Sequence, residues 1–180
     1  MPTVTAFHVT NDPVAKEFEE LFAEHYPLVY RTAYSVTGST ADAEDVVQTL
    51  FLRLFRRGLP SGFRENPKAY LYRAAVNVSL NSIRSRRHHV FVADQEQLDT
   101  PVETDVPNPE SPIQGRLVEA IAQLNPRAVE MLILRYEHHY SEAEIGKLLG
   151  ASRGVVAVTL FRARTKLKKL LRASSSGEKQ

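Results

Sequence analysis

Arg73, Asn77, Asn81 and Arg84 follow one another at steps of four, four and three residues. On a helix turning about 100° per residue they fall within about 80° of each other and make one polar stripe. Arg86 and Arg87 lengthen its basic end, and Phe63, Tyr70 and Tyr72 stand near its start. The chemistry this suits is contact with an unpaired nucleic-acid strand. Guanidinium groups meet phosphates, carboxamides donate and accept at base edges, and aromatic faces stack on bases. A solvated helix face above core tyrosines has the same composition, so these residues alone leave both readings open.

A second cationic stretch occupies 141–171, SEAEIGKLLGASRGVVAVTLFRARTKLKKLL. Ser141 and Glu144 can form a capping box, and Ile145, Leu148 and Leu149 give an apolar stripe. Gly150 then stops the helix at a position that favours left-handed backbone. Ser152 can cap a second helix, in which Val156, Leu160, Ala163 and Leu167 recur at steps of three and four. Residues 153–172 carry seven Lys/Arg and no Asp/Glu. Short helix, glycine turn and long basic helix predict a helix-turn-helix with its second helix in the major groove. The bland alternative is an αα-hairpin with a charged outer face.

Asp42, Glu44 and Asp45 crowd the first turn of the run STADAEDVVQTLFLRLFRR, which suits a helix dipole. Ala43, Val46, Val47, Leu50, Phe51, Leu54 and Phe55 form its apolar face, with Asp45, Gln48, Thr49, Leu52 and Arg56 opposite. A leucine among polar groups beside an acidic turn reads either as a protein-docking surface or as dipole stabilisation with one stray leucine. Metal chemistry is not expected, because the helix start already explains the acids. His88-His89 and His138-His139 lack completing ligands and read as solvated helix ends. With no glycine-rich phosphate loop, nucleophile elbow or HExxH, neither a catalytic residue nor a cofactor is expected.

The elements that must position these groups are all helical. Asp12-Pro13, Asn66-Pro67, Ser111-Pro112 and Asn125-Pro126 are cap-plus-proline starts. They predict helices over 13–25 and 27–37 (broken at Pro27), from 67 to about 88, and over 112–124 and 126–138; the run STADAEDVVQTLFLRLFRR adds another, capped at Ser39 or Thr40, and the helix-turn-helix follows. The net charge of +2 hides an uneven distribution. Residues 18–89 carry ten Lys/Arg against seven Asp/Glu, and residues 113–172 eleven against five, while residues 90–112 hold six Asp/Glu, four prolines and no cation. This predicts an all-α chain of two small domains, 13–89 and 112–172, joined by a flexible acidic linker over 90–111. Residues 1–11 and the tail SSSGEKQ show no periodicity. Zero cysteines exclude disulfides and thiolate metal sites. No apolar run reaches a membrane span and no signal peptide is evident, so a soluble cytoplasmic chain with no membrane segment of its own is expected.

In this order, the parts resemble the extracytoplasmic-function (ECF) group of sigma-70-type bacterial RNA polymerase sigma factors. FEELFAEHYPLVYRTAYSVTGSTADAEDVVQTLFLRLFRR resembles the opening of the family's second region. NPKAYLYRAAVNVSLNSIRSRRHH resembles its promoter-melting helix, and LNPRAVEMLILRYEHHYSEAEIGKLLGASRGVVAVTLFRARTKLKKLL its fourth region. The resemblance implies a non-catalytic specificity subunit whose partners are core RNA polymerase, promoter DNA and an anti-sigma factor. It implies that Asp42, Glu44, Asp45, Gln48 and Leu52 dock on the clamp helices of the polymerase largest subunit. Residues 58–66 with Phe63, Tyr70, Arg73, Asn77, Asn81, Arg84, Arg86 and Arg87 would hold the melted −10 element, where a base is flipped out. Ser152, Arg153, Ala157, Val158, Thr159, Phe161, Arg162 and Lys168 would meet the double-stranded −35 element, and the linker would thread through the RNA channel.

Two departures stand out. Asn81 replaces the family's usual aspartate. Val155, Ala157 and Thr159 stand where threonine, lysine and arginine are usual, and Val158 and Phe161 point away from the core stripe. The last two either touch thymine methyls or belong to a partner-protein surface. The competing function is a free-standing helix-turn-helix regulator with an N-terminal oligomerisation or ligand module.

Overall fold

The protein is described by a computed structural model covering residues 13–95 and 112–176, with side chains over 16–86 and 112–173. These residues form seven α-helices and no strand: α1 Pro13–Thr37, α2 Thr40–Arg57, α3 Pro67–Gln95, α4 Pro112–Ala122, α5 Pro126–Tyr136, α6 Glu142–Leu149 and α7 Arg153–Ser176. The acidic linker expected over 90–111 begins later than its composition suggests, because α3 takes residues 90–95 as helix; the remainder, 96–111, and both chain ends lie outside the described residues.

Helix α1 runs through Pro27 instead of breaking there. An interior proline costs about 3 kcal/mol through its missing N–H and its ring. Packing on both sides of it offsets that cost. Phe18 and Leu21 before the proline, and Val29 after it, belong to one cluster with Val47, Leu50, Phe51 and Leu71. Rings also pair along the helix across the proline, Phe22–Tyr26 at 5.4 Å, Tyr26–Tyr30 at 5.8 Å and Tyr30–Tyr34 at 6.4 Å between centroids.

Ser39 caps α2 by accepting from the Asp42 N–H at 3.3 Å. The face from Ala43 to Leu54 is buried as the spacing predicts, but Phe55 is exposed and only leans edge-on against Phe18. Helix α3 continues past His88 to Gln95. No glycine or proline separates Pro67 from Pro101, so nothing in the sequence stops it earlier. In the other direction, α5 ends at Tyr136, two residues short of the expected 138.

The helix-turn-helix forms as its caps predict. Ser141 and Glu144 make a reciprocal capping box, and Gly150 takes φ 65°, ψ 40°. Ser152 accepts from the Val155 N–H at 3.3 Å. Gly146 matters for a different reason: a Cβ there would lie 2.6 Å from the Ala151 carbonyl oxygen, so the turn can fold back only over a bare Cα.

The two halves of the chain pack against each other. Val36, Tyr72, Val76, Leu80 and Ile83 from α1 and α3 share one apolar cluster with Ile121, Leu124, Val129, Leu134 and Ile145 of the C-terminal half. The sequence gives no periodic sign of this seam, because each half also closes its own helical faces.

Candidate nucleic-acid and protein interfaces

Helix α3 brings Arg73, Asn77, Asn81 and Arg84 to one exposed face, and Tyr70 is 38 % exposed near its start. Phe63 is not available for stacking. It is 2 % exposed, belongs to the α1–α2 core, and supports Tyr70 edge-on at 5.4 Å. An apolar ring in a loop that closes a small core is more stable under its neighbours than in water. The loop over 58–66 and the start of α3 border a cleft of about 430 Å³ lined by Phe63, Arg64, Asn66 and Lys68, with Leu148 of α6 on its far wall.

Arg86 and Asp42, expected on two different surfaces, bind each other. The Arg86 guanidinium donates to both Asp42 carboxylate oxygens, with Nη1 at 3.0 Å from Oδ2, and Asp42 is 7 % exposed. A buried carboxylate needs such a bidentate partner. These two residues therefore lock α3 to the start of α2 and are not free contact groups. The Arg87 side chain lies outside the described residues. Glu44, Asp45, Gln48 and Leu52 do share the outer face of α2, and Leu52 is 50 % exposed.

On α7, Val155, Val158 and Phe161 are 54 %, 49 % and 63 % exposed. Ser152, Arg153, Arg162 and Lys168 are exposed too, whereas Ala157 and Thr159 are half-buried. Arg153 lies 3.7 Å from Glu142 of the preceding helix, a weak surface pair. The apolar group is continuous in chain order with the basic one, as the angular argument expects.

The seam between the halves holds groups that sequence reasoning missed. Arg31 donates to the Glu137 carboxylate from Nε at 3.2 Å and Nη2 at 3.0 Å, and to its carbonyl at 3.0 Å. Burial alone would raise the Glu137 pKa, but hydrogen bonds from Arg31 and Ser35 and the Arg31 charge outweigh it and the net shift is downward. His138 is not a solvated helix end. It packs on the Tyr72 ring at 4.8 Å, and its Nε2 lies 3.0 Å from Thr32 Oγ1. That hydroxyl already gives its proton to the Leu28 carbonyl at 2.8 Å, so His138 is the donor, as the Nε2–H tautomer. Burial and the nearby Arg31 pull its pKa from 6.5 to about 4. Glu130, 2 % exposed, accepts from Arg127 at 2.8 Å and lies 3.9 Å from Arg73; burial raises its pKa against the pull of both arginines. Arg84 reaches across to the C-terminal end of α4, donating to the carbonyls of Ala122 and Leu124, each at 3.0 Å. Only the lone position of polar groups beside apolar ones (Thr32, Glu130, His138) signals this in the sequence, and such positions are common on solvated faces.

Among the described residues no group of acids, histidines or cysteines could hold a metal ion, and no helix is long and apolar enough to cross a membrane.

Residues 21–89 match the Sigma-70 region 2 family and residues 114–167 match Sigma-70, region 4. The chain is 34 % identical to the ECF RNA polymerase sigma factor SigE of Mycolicibacterium smegmatis, over 97 % of this chain and 70 % of that protein. It is 32 % identical to the RNA polymerase sigma factor CarQ of Myxococcus xanthus, over 89 % of this chain and 92 % of that protein. The chain belongs to the ECF RNA polymerase sigma factors. This sigma factor binds core polymerase, recognises the −10 and −35 promoter elements and promotes transcription initiation. Two solved structures share its fold. One is the sigma factor RpoE with the anti-sigma factor NepR from Bartonella quintana (TM-score 0.52, 22 % identity, 87 % of this chain and 98 % of that chain). The other is CnrH with the cytosolic domain of CnrY (TM-score 0.50, 23 % identity, 88 % and 90 %).

Proposed function

We propose that the sigma factor divides its work among three surfaces. The outer face of α2, with Glu44, Asp45, Gln48 and Leu52, docks on the clamp helices of the polymerase largest subunit. The stripe of Arg73, Asn77, Asn81 and Arg84, with Tyr70 and the cleft at 58–66, holds the melted −10 strand. Taking a base out of the stack costs a few kcal/mol, which stacking and edge hydrogen bonds offset. The outer face of α7 anchors the −35 duplex through Ser152, Arg153, Arg162 and Lys168, with Ala157, Val158, Thr159 and Phe161 at the centre of the contact. Asp42, Phe63 and Arg86 act through support, holding α2, the loop and α3 in register. The work is binding and positioning without covalent catalysis, in the cytoplasm, and an anti-sigma factor is the expected inhibitor because a structural neighbour is held by one.

The observation that carries this reading is the exposure of three chemically distinct faces on successive elements, acidic on α2, arginine–asparagine on α3 and apolar–basic on α7. The test is to mix the purified chain with sigma-free core polymerase and look for co-elution and start-site-specific transcription. Failure of both, with DNA binding preserved, would favour a free-standing regulator.

A further inference from the structure

We infer that α7 reads the −35 element through methyl groups. Val158 and Phe161 rest on thymines of neighbouring base pairs in the major groove, and Gly154 lets the helix come close enough for them to do so. This specificity presupposes that the outer face of α7 meets duplex DNA, and it adds what that face distinguishes.

The core stripe of Val156, Leu160, Ala163 and Leu167 fixes which way α7 faces. At about 100° per residue the opposite line runs through Gly154, Val158, Phe161 and Thr165, with Arg162 and Lys169 beside it. The first turns of such a helix are the ones that reach base edges, and here their hydrogen-bonding groups are engaged elsewhere. The Ser152 hydroxyl accepts from the Val155 N–H at 3.3 Å, Arg153 lies 3.7 Å from Glu142, and Thr159 is half-buried. Thr165, the first hydroxyl on the line, donates to the Phe161 carbonyl at 3.0 Å. Base pairs are told apart in the major groove by donors, acceptors and the thymine C5-methyl. Valine and phenylalanine can read only the last of these. Three residues along a helix span about 4.5 Å, close to one base-pair step of about 3.4 Å, so each side chain meets a different pair.

Gly154 is a second, independent sign. Glycine weakens a helix relative to alanine, yet a Cβ at this exposed position would meet nothing within 4 Å. The fold does not require glycine here. What it provides is bare backbone on the same line as Val158, one turn nearer the end of the helix that enters the groove. Charge then says what covers the face. Helix α7 has no acidic residue, and Arg162, Lys168 and Lys169 are exposed with no ion pair among the described residues. An apolar strip bordered by cations alone matches a groove with phosphates on its walls and methyl groups on its floor.

The test uses the full chain and short duplexes with a random centre, from which the tightest binders are selected and measured by fluorescence anisotropy. Each selected duplex is remade with deoxyuridine for thymine, which removes only the C5-methyl. It should bind about fourfold more weakly for each methyl in contact, the worth of burying one such group. Val158→Ala combined with Phe161→Ala, at exposed positions that leave the thermal melt unchanged, should bind thymine and deoxyuridine duplexes alike. Lys168→Ala should instead weaken both equally and lower the salt slope by about one. Gly154→Leu should lift both methyl contacts and cost at least about tenfold in affinity, with a melt no lower than the parent's. Deoxyuridine duplexes bound as tightly as thymine ones, or a deoxyuridine penalty that persists in the alanine pair, would overturn methyl reading while leaving the −35 assignment standing. An alanine pair with the parent's affinity for thymine duplexes would also overturn it and give the strip to a partner protein. Selection that enriches no duplex beyond an Arg162→Glu, Lys168→Glu chain would remove the −35 assignment, and methyl reading with it.

Discussion

Lowering the pH from 7.5 to 5.0 should loosen the seam through His138. In the folded chain this imidazole sits between Thr32 and the Tyr72 ring, near Arg31, Glu137, His139 and Tyr140, and its pKa is pulled from 6.5 to about 4. The unfolded chain therefore takes up the proton first. Stability from the neutral ring is full above pH 6.5, falls as the pH drops below that value, and is lost by pH 4. At pH 5.0 the difference is a factor of about 30 in the folded-to-unfolded ratio, on the order of 2 kcal/mol. Glu137 acts only at lower pH, since its own pKa is lowered from 4.5. His138→Gln keeps a donor for Thr32 but cannot titrate, so its seam should be almost indifferent between pH 7.5 and 5.0. The assay is urea denaturation at the two pH values, together with the proton chemical shift of the His138 ring followed by NMR. A ring that titrates near 6.5, or a glutamine variant with the parent's pH response, would refute the reasoning.

Leu52→Glu should weaken core-polymerase binding at least about tenfold, as loss of an exposed apolar anchor does, while unfolding stability stays within about 0.5 kcal/mol of the parent. Co-elution from a titrated column and urea denaturation check the two halves of that statement. Val158→Asp should reduce −35 duplex binding or anti-sigma binding when both are assayed on one preparation; loss of neither would remove Val158 and Phe161 from any interface. Gly146→Ala should cost about 1–3 kcal/mol, because the added methyl meets a backbone oxygen that cannot turn aside. A thermal melt unchanged from the parent would contradict it.

The helices were legible in the sequence because their caps are local. Ser39, Ser141 and Asn125 each bond a backbone N–H within three residues, so the signal and its cause lie in the same short window. The faces of α2 and α7 were legible because period alone sorts Val46, Leu50 and Leu54 from Gln48 and Leu52. Pro27 misled because the proline penalty is local while the packing that overrides it comes from α2 and α3. Asp42 and Arg86 misled in the same way. Each is polar on a polar stretch, and only their meeting across 44 residues shows that they satisfy each other. His138 was read as solvated, since adjacent histidines carry no mark of which one turns inward to Tyr72.

Arg84 has one more role than its reach toward α4 suggests. The last carbonyls of a helix have no partner within it; that of Ala122, the final residue of α4, and that of Leu124 just beyond it are met by a side chain from the other half of the protein. Helix α4 thus borrows its C-cap from α3. In an Arg84→Ala chain Lys166 would still serve Gln123, but its two neighbours would turn to water and the final turn of α4 would loosen. The amides of that turn then become a built-in gauge of the Arg84 contact, readable by hydrogen exchange without any label.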